Sequence, residues 1–179
     1  MTPRILPVTD TDTPEKSKPM LEAVAAQFGK APNMLRTLAH SPAALQSYLS
    51  QVTALSGGEL AVQLREQIAL VTAGISGCDY CASAHTLAGK RRGLDAAEML
   101  ENLAGRSGDP KTRVALDFVH AMVTRRGQIA GDAVDGLRRA GYSEGEIVEI
   151  IAHVGMNLFT NYVNHIAGTV IDFPLVRTE

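Results

Sequence analysis

The chain has 179 residues, 45% of them hydrophobic, enough for one domain with a substantial core. Its 17 basic and 19 acidic residues leave a net charge of -2, which offers no electrostatic footprint for nucleic acid or an anionic membrane. No apolar run approaches the length that crosses a bilayer, and the first residues, polar and proline-rich, do not read as a secretory leader.

In chain order, residues 1–13 read as an extended arm, broken by Pro3 and Pro7, of the kind that packs on a neighbouring subunit or frays. From Pro14 the pattern turns helical and closes at Gly29, a C-cap position. A short helix follows Pro32, and Ser41 with Pro42 then supplies an N-cap and first turn for a helix ended by Gly57 and Gly58. A helix pair spans about 59–92 and stops at Gly93. Asp95 and Glu98 have capping-box spacing and start a helix toward Leu103. After a loop, Asp109 and Pro110 open an amphipathic helix through Val114, Phe118, Ala121 and Met122. A brief helix over 132–140 leads to a second capping box, Ser143 with Glu146, and to a long apolar helix. No window alternates with period two. The fold class predicted is all-α: about eight helices in one domain, with a faint duplication between 41–105 and 109–170.

Chemistry concentrates between Glu66 and His85. Cys78, Cys81 and His85 stand three and four residues apart, so one helix edge carries two sulfurs and an imidazole. The first turn of that helix favours thiolate over thiol. Glu66 lies in a preceding helix that is apolar all round, an awkward place for a carboxylate without a partner, and His85 is the natural one. That order suits a base-activated nucleophile. In the cytoplasm, the default location here, a C-x-x-C is a redox or metal pair more often than a structural staple. As a zinc site, Cys78, Cys81 and His85 would need Glu66 or a distant histidine as fourth ligand. Tyr80 is either a pocket residue or a half-buried aromatic. Ala82, Ala84, Ala88 and Gly89 leave room for a substrate or serve tight packing. His40, His120 and His153 read as core or cap residues, and Asn161, Asn164 and His165 either make ordinary end-of-helix hydrogen bonds or face the site or a subunit boundary.

The spacing Glu66, Cys78, Cys81, His85, with RxxIAL before the Gly break, CxYCxxAH across it and GLDAAE after it, resembles the AhpD-like alkyl hydroperoxidases of the carboxymuconolactone decarboxylase superfamily. The resemblance is strong over about 59–100, and weaker over FGKAPNMLRTLAHSPAAL and NYVNHIAGTVIDFP. It departs at Tyr80, where some members carry a second histidine. It implies an all-helical homo-oligomer, with no cofactor, that reduces hydroperoxides. Glu66 and His85 would activate the cysteines, and a lipoyl-type or thioredoxin-type dithiol would restore them. Helix-dipole reasoning favours Cys78 as the attacking sulfur; pairing with His85 favours Cys81. The reading adopted makes Cys81 peroxidatic and Cys78 resolving. The alternatives are a general disulfide reductase or redox sensor, and a decarboxylase-like enzyme that uses Glu66 and His85 without sulfur chemistry.

Overall fold

The computed structural model describes residues 2–179, and among them regular structure is helical throughout. Nine helices follow in order: α1 Lys18–Phe28, α2 Asn33–Leu38, α3 Pro42–Ser56, α4 Val62–Ser76, α5 Asp79–Arg91, α6 Ala96–Leu103, α7 Pro110–Thr124, α8 Gly131–Arg139 and α9 Glu144–Ala167. The all-α class is as expected. The caps predicted at Ser41 and Gly29 are present: Ser41 Oγ accepts the Ala44 N–H, and Gly29 takes the left-handed conformation at φ 83°. The first helix starts later than Pro14, because that proline's carbonyl is taken by the Ser17 N–H in a turn that precedes Lys18.

The chain packs as two compact units, each described by itself. The first comprises residues up to 57 together with 162–172. Its N-terminal arm does not reach outward. Val8 is buried, its N–H donates to the Arg36 carbonyl, and the Arg36 guanidinium returns a bond to the Val8 carbonyl at 3.2 Å.

The second unit, 58–161 with 173–179, is organised by α4. Nine consecutive or near-consecutive α4 residues, Leu64 and Glu66–Ala73, are buried, so this helix is covered on every side and packs against α5, α6 and α7. Leu60, Leu64, Ile68 and Val71 share one core with Leu116 and Val119 of α7, Leu137 of α8, and Ile150 and Val154 of α9. Each such fully buried aliphatic side chain contributes about 1.5–3 kcal/mol relative to exposure. The α4–α6 contact requires Gly74. A Cβ there would collide with the Leu103 carbonyl oxygen, a backbone atom that cannot move aside. Likewise a Cβ on Gly89 would meet Met99 Sδ at 2.8 Å, so at this position the small residue serves helix packing.

The two predicted capping boxes diverge. At Ser143 and Glu146 the exchange is reciprocal, with each residue's backbone N–H donating to the other's side chain at 2.8 and 3.0 Å. At the start of α6, Asp95 caps the N–H groups of Ala97 and Glu98, but the Glu98 carboxylate turns away. It accepts instead from Gln67 Nε2, Asn102 Nδ2, Ser107 Oγ and the Gly108 N–H. That tie joins α4, α6 and the following loop.

Candidate active site

The site lies within the second unit, where α4 ends at Gly77 in the left-handed conformation, φ 63°, and the chain turns directly into α5. Cys78 is the N-cap of α5. Its sulfur accepts the Cys81 N–H at 3.4 Å, the place a serine or aspartate oxygen usually takes. Both cysteines are buried, at 2% and 3% exposure, and no disulfide joins them.

The hydrogen bond from the Cys81 side chain is the strongest influence on Cys78 and holds its thiol below the ordinary range. Burial opposes this, and the N–H groups of Cys81 and Tyr80 and the nearby His85 support it. The donors around Cys78 thus favour its anion, with the Cys81 side chain foremost among them.

Glu66 is buried in α4, and its two carboxylate oxygens have separate partners. Oε2 accepts from His85 Nδ1 at 2.7 Å, and Oε1 is in an ion pair with Arg92 Nη1. Burial pushes His85 down to about 4, with the negative charge of Cys78 pulling the other way, so the imidazole is neutral at pH 7. A neutral ring that donates from Nδ1 to a carboxylate leaves Nε2 as a proton acceptor, the arrangement of an oriented general base.

Of the residues singled out from sequence, the structure brings Glu66 and His85 into direct contact and places Cys78 and Cys81 sulfur to backbone at the head of the same helix. Tyr80 is buried beside them, its ring edge-on to Phe173 with centroids 5.5 Å apart. His40 and His120 are not core residues: both are exposed, and His40 Nε2 meets the Leu6 carbonyl. His153 is buried. No group of three or more His, Cys, Asp or Glu side chains converges as a metal site among the described residues.

Two features escaped the sequence reading. Arg92 is seven residues beyond His85, two turns along the same helical face, so extending the periodic strip one step further identifies it. The C-terminal segment 173–179 had no signal of its own, yet it lies along the N-terminal half of α5. The Val176 N–H donates to Ser83 Oγ at 2.9 Å, while the Thr178 N–H and hydroxyl both donate to Asp79 Oδ1. Arg177 pairs with Asp79 Oδ2 at 3.2 Å.

The sequence model of the Carboxymuconolactone decarboxylase family matches residues 39–122, the stretch holding all of these acid, base and sulfur groups. A peroxidase-related protein from Ralstonia eutropha JMP134, described as an alkylhydroperoxidase AhpD core, superposes with a TM-score of 0.84. It is 20% identical, with 96% of this chain and 94% of that one covered. Residues 39–122 thus carry that family's sequence pattern, and nearly the whole chain shares the fold of the AhpD core. A second peroxidase-related protein, from Silicibacter sp. TM1040, gives a TM-score of 0.81 at 24% identity over 95% of this chain and 94% of its own. The debrominase Bmp8 gives 0.80 at 22% identity, over 96% and 94%. No curated protein matches the sequence. At these identities the structural likenesses establish the shared fold, and the chain's chemistry must be argued from its own residues. No helix among the described residues is long and apolar enough to cross a membrane.

Proposed function

We propose that this AhpD-like protein is a thiol peroxidase that reduces alkyl hydroperoxides through Cys78 and Cys81. The observation that carries the reading is the Glu66 carboxylate set on His85 Nδ1 at 2.7 Å, beside a cysteine pair whose N-cap thiol is held below its ordinary range. Arg92 fixes the second oxygen of Glu66, which orients the imidazole.

The thiolate of Cys78 attacks one oxygen of the hydroperoxide. A sulfur–oxygen bond forms, the oxygen–oxygen bond breaks, and the alkoxide departs and takes up a proton to become the alcohol. His85 Nε2 then receives the Cys81 proton. The Cys81 sulfur displaces hydroxide from the sulfenic acid, and with that proton the hydroxide leaves as water and a Cys78–Cys81 disulfide remains. An external dithiol of the lipoyl or thioredoxin type is oxidised to its own disulfide and returns the pair to thiols. The opposite order, with Cys81 attacking and Cys78 resolving, is the one that pairing with His85 favours in the sequence. A sulfenic-acid trap such as dimedone separates them: the first order expects the adduct in Cys81→Ser and little in Cys78→Ser.

The test of the function is hydroperoxide consumption with a dithiol supplied. The Cys78→Ser, Cys81→Ser double variant is expected to be inactive, and unchanged turnover would overturn the proposal in favour of chemistry by Glu66 and His85 alone. A second reading draws on the shared fold with Bmp8, whose complex is with 2,3,4-tribromopyrrole. In it the Cys78 thiolate takes bromine from carbon, the carbanion is protonated, and Cys81 displaces bromide to close the disulfide. Bromide release from that pyrrole at a rate exceeding hydroperoxide reduction would favour it; a faster rate on a model disulfide would mark a general disulfide reductase. The proposed setting is the cytoplasm, where the pair stays reduced. A homo-oligomer is proposed as well, supported by the apolar stripe Val148, Ile151, Phe159, Tyr162 and Ile166 exposed along α9.

A further inference from the structure

Cys81, His85 and Arg92 follow one another at helical spacing, so they fall on one face of α5 and its C-cap. Exposure rises along that face. The two cysteines are 2% and 3% exposed, the His85 side chain 27% and the Arg92 side chain 41%. The N-terminal half of the helix carries the segment 173–179 at Asp79 and Ser83. The site therefore opens toward the C-terminal end of α5, and Arg92 is the charged group at its rim.

Backbone and side chain both hold that arginine in place. Its N–H caps α5, and its carbonyl accepts from Gln63 Nε2 of α4 at 3.1 Å. Its Nη1 meets Glu66 Oε1 while Glu66 Oε2 holds His85 Nδ1 at 2.7 Å, so a single carboxylate separates the guanidinium from the imidazole. One nitrogen of the donor fork is used inward, and the exposed part of the side chain offers the rest to solvent. The surroundings are cationic. Lys90 and Arg91 precede it and are exposed, and burial first, then the positive charge of Arg65, push the Arg92 guanidinium below its ordinary range. A further anion relieves that repulsion; an uncharged molecule does not.

We propose that Arg92 determines substrate specificity at this site by binding the carboxylate of a hydroperoxide that is also a carboxylic acid, the chemical class of an oxidised fatty acid. This rests on the peroxidase reading above and names its substrate class. The span calls for a chain rather than a compact peroxide. Fourteen residues separate Cys78 from Arg92, about 21 Å at about 1.5 Å per residue, and the arginine side chain, leaning back toward the start of the helix, covers only part of it. An aliphatic linker covers the rest. Ala88, on the same face between His85 and Arg92 and half-buried, sets no bulky side chain in its path. The carboxylate is bound and released unchanged, and the oxygen–oxygen bond breaks at sulfur as described.

Three hydroperoxides with one chain length and one reacting group separate charge from reactivity: ω-hydroperoxynonanoate, its methyl ester, and the analogue that ends in trimethylammonium. With dithiothreitol as reductant, kcat/KM for the acid is expected to exceed that for the ester by about tenfold or more, mainly through KM, and the cation is expected to fall below the ester. In Arg92→Gln the acid loses its advantage over the ester, and in Arg92→Lys, which keeps the charge without the fork, it retains part of it. Loosening Glu66 slows all three substrates alike, so the acid-to-ester ratio reports binding and not the positioning of His85. Lys90→Gln with Arg91→Gln keeps most of the preference. Equal kcat/KM for acid and ester in the unsubstituted protein, a preference that survives Arg92→Gln, or one that vanishes with Lys90 and Arg91 would overturn the inference while leaving the peroxidase reading intact. If iodoacetamide alkylates the thiols but none of the three hydroperoxides is consumed, the peroxidase reading falls and this inference with it.

Discussion

Cys78 shows how one residue can serve a helix and a reaction with the same atom. A sulfur is a weak acceptor, and as an N-cap it stabilises α5 less than serine would; what it gains is a set of donors that favour its anion. Because the Cys81 side chain is the largest of these, Cys81→Ser and Cys81→Ala are expected to differ. In Cys81→Ala the Cys78 alkylation rate, followed against pH with iodoacetamide, shifts its midpoint upward, since a lowering influence is lost while burial remains. In Cys81→Ser a hydroxyl donor persists and the midpoint stays closer to that of the unsubstituted protein. Equal midpoints in all three proteins would show that the Cys81 side chain does not hold the thiolate. Glu66 was legible in the sequence as a carboxylate needing a partner, because a buried acid amid Ile68, Leu70 and Val71 is a local anomaly. Arg92 completes its coordination, and the sequence reading stopped one turn short of it.

At the scale of elements, contacts that cross between helices depend on what is missing as much as on what is present. Gly74 lets α4 lie against the end of α6. Gly74→Ala should therefore destabilise the protein by at least about 1–3 kcal/mol, as overpacking does, read as a lower midpoint in chemical denaturation. An alanine with unchanged stability would mean the two helices separate at little cost. The C-terminal segment makes a complementary case. Its bonds to Asp79 and Ser83 and the Phe173–Tyr80 ring contact cover the half of α5 that carries both cysteines. Deleting residues 173–179 is expected to raise the rate of Cys78 alkylation at fixed pH while the helical circular dichroism is retained. No change in rate would show that reagents reach the sulfurs by another side. The capping residues were readable because each acts within four positions of itself; Glu98 was misread as a box partner because Gln67, Ser107 and Gly108, which draw it away, come from other elements.

For the molecule as a whole, two imidazoles, the half-buried His85 and the buried His153, set a pH dependence. His85 and His153 each stand at about 4 in the folded chain against an ordinary 6.5. Between those values the unfolded chain binds more protons than the folded one, so stability is fully present above about 6.5 and is lost as pH falls toward 4. Urea midpoints across that window should decline, and His85→Gln with His153→Gln should flatten the decline; an equally steep fall in the double variant would assign it to carboxylates such as Glu98. The stripe on α9 makes a second whole-molecule prediction. Ile151→Asp and Phe159→Asp, placed on exposed positions, should lower the mass seen by sedimentation without loss of helix. An unsubstituted protein that sediments as a monomer at micromolar concentration would remove the proposed homo-oligomer.

From sequence alone, the helices and the shared edge of Cys78, Cys81 and His85 were determined, because helical periodicity and capping act between residues three and four apart. Only tertiary structure decided that both oxygens of Glu66 are claimed, that the C-terminal segment covers α5, and that His153 is buried with its Nε2 unpartnered. Those relations join residues tens of positions apart, and which of them meet is set by burying the faces of α4 on all sides at once, a condition that no local pattern encodes.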